Sequence, residues 1–187
     1  MSRTYDEERR FDSVYKLVTL GEAAVGKTSL VNKYVTGKFQ RDYHRTLGID
    51  ISTYDAKIDK YLFKLLIWDL AGQDIFRDLR TRYCQGASGG IVVFDLTRPQ
   101  TLETVPRWVQ AFRDAVGSEP LLILLGNKAD LEKNRKITPE QGEKISRDLG
   151  LFQYKETSAK TGQEVTEAFS TLAIMIKEAH ESRRSPP

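Results

Sequence analysis

Eight consecutive residues, Gly21-Glu22-Ala23-Ala24-Val25-Gly26-Lys27-Thr28, set a glycine, four residues, a second glycine, lysine and threonine between an apolar run and a helical stretch. Glycines let a backbone wrap an anion closely, so that successive N–H groups and the amino end of the helix face its charge. On a nucleoside triphosphate, Lys27 would reach the β and γ phosphates and the Thr28 hydroxyl would coordinate Mg²⁺. The competing reading is a glycine turn that caps a helix beside an exposed lysine.

Three further polar segments follow apolar runs. In Asp69-Leu70-Ala71-Gly72-Gln73 the aspartate can hold Mg²⁺ through water, since that ion takes hard oxygen ligands and gives up its waters reluctantly. Gly72 would leave its N–H free to approach a γ-phosphate, and Gln73, both donor and acceptor, could orient an attacking water. Taken alone, the segment could equally be an ordinary turn. In Asn127-Lys128-Ala129-Asp130 the Asp130 carboxylate can accept from both N–H sites of guanine, whereas adenine offers an acceptor on that edge, so this residue could exclude ATP. An exposed polar loop is the alternative. In Glu156-Thr157-Ser158-Ala159-Lys160, the Ala159 N–H could meet a base oxygen and the Lys160 stem could cover the ring.

The elements that position these segments can be read from apolar spacing. Val14 to Leu20 is a strand that runs into Gly21, and a helix follows Gly26 through Tyr34. Ile49 to Ile58 and Tyr61 to Trp68 form an antiparallel pair turned at Asp59-Lys60. Short runs at Gly90 to Phe94, Leu121 to Leu125 and Phe152 to Glu156 alternate with helical patterns at Leu102 to Val116, Pro139 to Leu149 and Glu164 to Ala179. This alternation predicts a mostly parallel sheet covered by helices, with its ligand site at the carboxyl ends of the strands. Thr138 can cap the helix opened by Pro139, and Gly150 can end it.

With 187 residues, 40% of them hydrophobic and 29% charged, the chain suits one domain with a real core. A net charge of +3, with small basic clusters at Arg9-Arg10 and Arg183-Arg184, is weak evidence for an anionic partner; the clusters read more readily as solvated termini, and no nucleic-acid partner is expected. Cys84 is the only cysteine, which excludes an intrachain disulfide or a multi-cysteine metal site. No apolar run approaches membrane-span length, and Met1 to Arg10 does not resemble a secretory signal.

In their order and spacing, GEAAVGKT, the threonine of TLGID, WDLAGQ, NKAD and ETSAK resemble the Ras superfamily of small GTPases over roughly Val14 to Glu178. Leu47-Gly48-Ile49-Asp50, Lys64-Leu65-Leu66-Ile67-Trp68 and Tyr83-Cys84-Gln85-Gly86-Ala87 are most similar to segments of its Rab branch. The resemblance implies an α/β P-loop NTPase small G domain at 13–180, between a polar extension at 1–12 and a short polar tail at 181–187. Its sheet would be six-stranded and mostly parallel with one antiparallel strand, with about five helices on both faces.

It further implies a GTPase that binds GTP and GDP with Mg²⁺, turns over slowly, and cycles between switch conformations. Nucleotide-binding residues would be Glu22, Ala23, Ala24, Val25, Gly26, Lys27, Thr28, Ser29, Phe39, Tyr43, Thr46, Gly72, Asn127, Lys128, Asp130, Ser158, Ala159 and Lys160. Thr46 matches the switch I threonine that binds Mg²⁺ and the γ-phosphate, beside Thr28 and, through water, Asp69. Tyr43 matches a tyrosine near the phosphates. Phe39 matches the aromatic residue that packs against guanine, although composition alone would place it in the core. Gln73, Lys27 and Gly72 would be catalytic, and Asp74 to Arg82 would form switch II. Implied partners are an exchange factor, a GTPase-activating protein and effectors on a monomeric, cytoplasmic protein peripheral to membranes, in trafficking-type signalling.

The sequence departs from the family pattern at three places. Ala23 puts a methyl group where Ras has glycine and many Rabs have serine, against the transition state or an incoming arginine. Ile51 replaces the phenylalanine usual beside Trp68 and Tyr83. The tail Ser182 to Pro187 lacks the prenylated cysteine of most Rabs, so either the protein carries no such lipid or the sequence is a piece of a longer chain. No residue is evidently an internal arginine finger. Two rival functions are a module that binds GTP with little or no hydrolysis, favoured by Ala23 and opposed by Gln73, and an ATP-dependent P-loop enzyme, opposed by Asp130.

Overall fold

The computed structural model describes residues 11–39, 46, 48–71, 82–117 and 120–184. In chain order the elements are β1 (Ser13–Leu20), α1 (Lys27–Thr36), β2 (Ile49–Ile58), β3 (Tyr61–Leu70), β4 (Gly89–Asp95), α2 (Pro99–Glu103), α3 (Val105–Val116), β5 (Leu121–Asn127), a 3-10 turn (Glu132–Asn134), α4 (Pro139–Asp148), β6 (Gln153–Thr157) and α5 (Val165–Arg184). The strands form one six-stranded sheet in the order β2-β3-β1-β4-β5-β6. Within it, β2 and β3 are antiparallel and the other pairs are parallel. The predicted α/β architecture is therefore observed.

Parallel central strands must bury both faces, and every residue of β4 is buried. Alternate residues of β1 divide between two cores. Leu17 joins Phe63, Leu65 and Ile67 beneath α1 and α5, whose Leu30, Val31, Phe169, Leu172 and Ile176 cover that face. Val18 and Leu20 join Val92, Phe94, Leu122 and Leu124 on the opposite face, under Trp108, Val109 and Phe112 of α3.

The Asp59-Lys60 turn closes β2 on β3 with Ile58 opposite Tyr61, as expected. Three details differ from the sequence expectation. The helix read over Leu102 to Val116 is two helices joined at Thr104, because Pro106 has no N–H and its ring would crowd the Leu102 carbonyl. The last helix passes Ala179 to reach Arg184; Lys177 pairs with Glu181 at 2.5 Å and the Ser182 hydroxyl donates to the Glu178 carbonyl at 2.9 Å. Strands β3 and β5 run on through Leu70 and Asn127, so Asp69 and Asn127 stand within paired strands rather than in the turns after them.

Candidate functional site

β1 ends at Leu20, and the chain turns at Gly21 into α1, whose first residue is Lys27. Gly26 has φ 101°, and a Cβ there would lie 2.2 Å from the Asn127 amide nitrogen, so both conformation and space demand glycine. Gly21, at φ 134°, is equally constrained: a Cβ would meet the Val93 carbonyl oxygen at 2.1 Å. The loop between them is therefore pressed against the ends of β4 and β5. Lys27, 6% exposed, arches over it and donates from Nζ to the carbonyls of Gly21 and Glu22, at 2.9 Å each.

Behind the loop, the Asn127 amide donates to the Val25 carbonyl at 2.9 Å, and its oxygen accepts from the Ala159 N–H at 3.2 Å and the Thr157 hydroxyl at 3.4 Å. This one side chain ties together the phosphate-type loop, the end of β5 and the turn after β6. Lys128 donates from Nζ to the Ala24 carbonyl at 3.0 Å and pairs with Asp95 at 2.7 Å.

The oxygens of Thr28, Thr46 and Asp69 converge at the mouth of the loop. The two threonine hydroxyls are 2.7 Å apart, Thr28 donates to one oxygen of Asp69, and Thr19 donates to the other at 2.6 Å. Asp69 is 1% exposed. Burial pushes its carboxyl above the usual carboxylate range, against the opposing hydrogen bonds of Thr19 and Thr28 and the charge of Lys27.

Beside the loop lies a cleft of about 380 Å³, a volume typical of small-molecule sites. Ala24, Gly26, Ser29, Phe39, Asn127, Lys128, Asp130, Leu131, Ala159 and Lys160 line it. Phe39 is 36% exposed in its wall rather than packed in the core. The Asp130 carboxylate accepts from the Ser158 hydroxyl at 2.7 Å and stands 3.7 Å from the Lys160 ammonium. The Ser158 oxygen also accepts from the Thr161 N–H at 3.1 Å, which fixes the turn whose Ser158 hydroxyl holds Asp130 at the cleft. The structure thus gathers residues from four separate sequence segments around one site. Tyr43, Gly72, Gln73 and most of the segment expected as switch II lie outside the described residues.

Two residues at the site were not singled out from sequence. Asp95, the last residue of β4, is 1% exposed and receives Lys128, the Nε of Arg98 at 2.9 Å, and both the N–H and hydroxyl of Thr97 at 2.9 and 2.6 Å. Burial alone would raise its carboxyl, but the Lys128 and Thr97 hydrogen bonds outweigh burial and hold it below the usual range. Arg98 also reaches the loop, donating from Nη2 to the Ala23 carbonyl at 3.0 Å. A usable signal for Asp95 was present, since it ends an apolar strand run as Asp69 and Asn127 do. Arg98 gave none, because its role depends on a contact across 75 residues of sequence.

Comparison with known proteins agrees with this geometry. Residues 16–178 match the Ras family. Over 177 residues the chain is 36% identical to Ras-related protein Rab-13 of Mesocricetus auratus, covering 95% of this chain and 87% of the relative. It is 36% identical to Ras-related protein SEC4 of Saccharomyces cerevisiae over 94% of this chain and 81% of the relative, and 36% identical to human Ras-related protein Rab-8B over 90% and 82%. This membership overturns the ATP-enzyme alternative and does not favour the non-hydrolysing module. A glycine loop braced from behind, an oxygen cluster at its mouth, a cleft carrying Asp130 and these similarities together lead to one conclusion: the chain belongs to the Ras family, as a Rab-like small GTPase.

Proposed function

We propose that the cleft takes guanine with its N–H edge on the Asp130 carboxylate, its oxygen toward the Ala159 N–H and its ring between Phe39 and the Lys160 stem. The triphosphate then lies along the amides of Glu22 to Ser29, with Lys27 leaving its two loop carbonyls for the β and γ phosphates. The observation that carries this reading is that Asp130 and the phosphate-type loop, about 100 residues apart in sequence, border one cleft through the bracing of Asn127.

Thr28, Thr46 and Asp69 offer only oxygen, which suits a hard divalent cation, and a buried carboxylate is stabilised by one. No cluster of three or more His, Cys, Asp or Glu occurs among the described residues, so phosphate and water oxygens would complete the ion's shell. Thr28, Thr46 and, through water, Asp69 would hold Mg²⁺ there, which would supply positive charge to offset that of the phosphates.

For hydrolysis, Gln73 orients a water in line with the β,γ bond. The water oxygen bonds to the γ phosphorus as the bond from that phosphorus to the bridging oxygen breaks, its electron pair staying with GDP, and both protons of the water pass to the inorganic phosphate released. Lys27 and the loop amides stabilise the charge on the transferring group. Loss of the γ-phosphate releases Thr46 and the Gly72 amide, and with them the surface that effectors, exchange factors and activating proteins read. No helix among the described residues is long and apolar enough to cross a membrane.

Competition against fluorescent GDP tests the base assignment: GTP should displace it and ATP should not, and equal competition by ATP would sink the proposal. In single-turnover assays, Gln73→Leu should slow phosphate release while leaving GTP affinity near wild type.

A further inference from the structure

Three consecutive carbonyls of the phosphate loop each accept a hydrogen bond from a different side chain behind it. Ala23 accepts from Arg98 at 3.0 Å, Ala24 from Lys128 at 3.0 Å and Val25 from Asn127 at 2.9 Å. In a planar trans peptide the carbonyl of one residue and the N–H of the next point in opposite directions. Drawing these three carbonyls outward therefore turns the N–H groups of Ala24, Val25 and Gly26 toward the side on which phosphates bind. Asp95 organises two of the three donors, since its Oδ2 accepts from Arg98 at 2.9 Å and from Lys128 at 2.7 Å. Two cations share one carboxylate, so the cluster keeps a net positive charge behind a loop built for anions.

Building on the nucleotide site proposed above, we propose that Arg98 is a positioning residue for nucleotide retention. Its guanidinium spans Asp95 and the Ala23 carbonyl and, as the first rung of this three-rung clamp, slows the release of GDP and GTP. The fork geometry matters because Nε serves the carboxylate while Nη2 serves the carbonyl. A lysine, with one nitrogen, keeps the charge but cannot hold both acceptors in that geometry. The site is local to this loop: Arg98 precedes α2, which starts at Pro99, and its side chain is 40% exposed, so its removal leaves no buried void.

The test is the release rate of fluorescent GDP and GTP from full-length wild type, Arg98→Ala, Arg98→Met and Arg98→Lys, in Mg²⁺ buffer, with the thermal midpoint of each at saturating nucleotide. A charge-assisted hydrogen bond at a half-exposed position predicts release about threefold to tenfold faster in the Ala and Met variants. Arg98→Lys should fall between them and wild type, and the midpoints should drop by no more than the weaker nucleotide binding accounts for, about 3–5 °C for a tenfold change. Release within twofold of wild type in Arg98→Ala would overturn the clamp. So would full recovery in Arg98→Lys, which would assign the effect to charge alone, or acceleration accompanied by a midpoint fall well beyond what the weaker nucleotide binding accounts for. Failure of wild type to bind fluorescent GDP would instead overturn the nucleotide site itself.

Discussion

Ala24 holds φ at 60°, a left-handed conformation in which an L-residue crowds its own carbonyl at a cost of about 1–2 kcal/mol. It is kept there by its neighbours: Lys128 takes its carbonyl, and the glycine after Val25 closes the loop. Replacing Ala24 with glycine removes the crowding but adds freedom to the unfolded chain, and these effects partly cancel. We expect Ala24→Gly to raise stability by about 0.5–1 kcal/mol, read as a higher urea midpoint at unchanged slope. At this scale much of the site was legible in advance. Residue types such as Asp130 and Thr28 declare their chemistry once a strand end or helix start is placed beneath them. Asn127 was harder, because what its amide does is hold the Val25 carbonyl and the Ala159 N–H together, a fact of tertiary contact rather than of type.

The local signals for helix α4 agree with one another. Thr138 accepts from the Gln141 N–H at 3.4 Å, the Gln141 side chain accepts from the Thr138 N–H at 2.8 Å, and Pro139 occupies the first turn. Such reciprocal capping satisfies two donors that the helix itself cannot. Thr138→Ala should cost about 1 kcal/mol in chemical denaturation, whereas Thr138→Ser should be nearly neutral. Here sequence reading succeeded because capping is local. It failed at Pro106, where an apolar period continued across a residue that cannot continue a helix, and at the ends of β3 and β5. Asp69 and Asn127 look like turn residues by type, yet ladder partners on neighbouring strands, Thr19 and Asp95, hold them in the sheet. Periodicity cannot foresee a pairing that depends on which strands become neighbours.

Across the whole molecule, two carboxylates tie the strand ends on the site side to neighbouring cations. Asp95 sits with Arg98 and Lys128 at the end of β4. In β6, Glu156 accepts a fork from Arg135, 2.8 Å from Nη1 and 2.5 Å from Nη2, and the Tyr154 hydroxyl at 2.9 Å. The Arg135 hydrogen bonds hold Glu156 below its ordinary range, as Lys128 and Thr97 do for Asp95. A carboxyl whose folded pKa is depressed adds stability that is present above its unfolded pKa of about 4 and is lost as pH falls through the lower folded value. Denaturation midpoints should therefore drop as pH is lowered from about 5 to about 3, and Glu156→Gln should be less stable at neutral pH with a shallower fall. The order of the sheet has another result. Consecutive strand residues face opposite ways, so Asp69 points to Thr28 of the loop and Thr19 of β1 while Trp68 lies on the other face, paired with Ile51, 6.2 Å from the Tyr83 ring and with the Lys16 ammonium 4.0 Å above it. An indole's emission depends on the charges around it, and the only other tryptophan, Trp108, is sealed in the core on the inner face of α3. One peptide bond from Asp69, this GTPase carries its own optical gauge, with Trp108 as an internal reference.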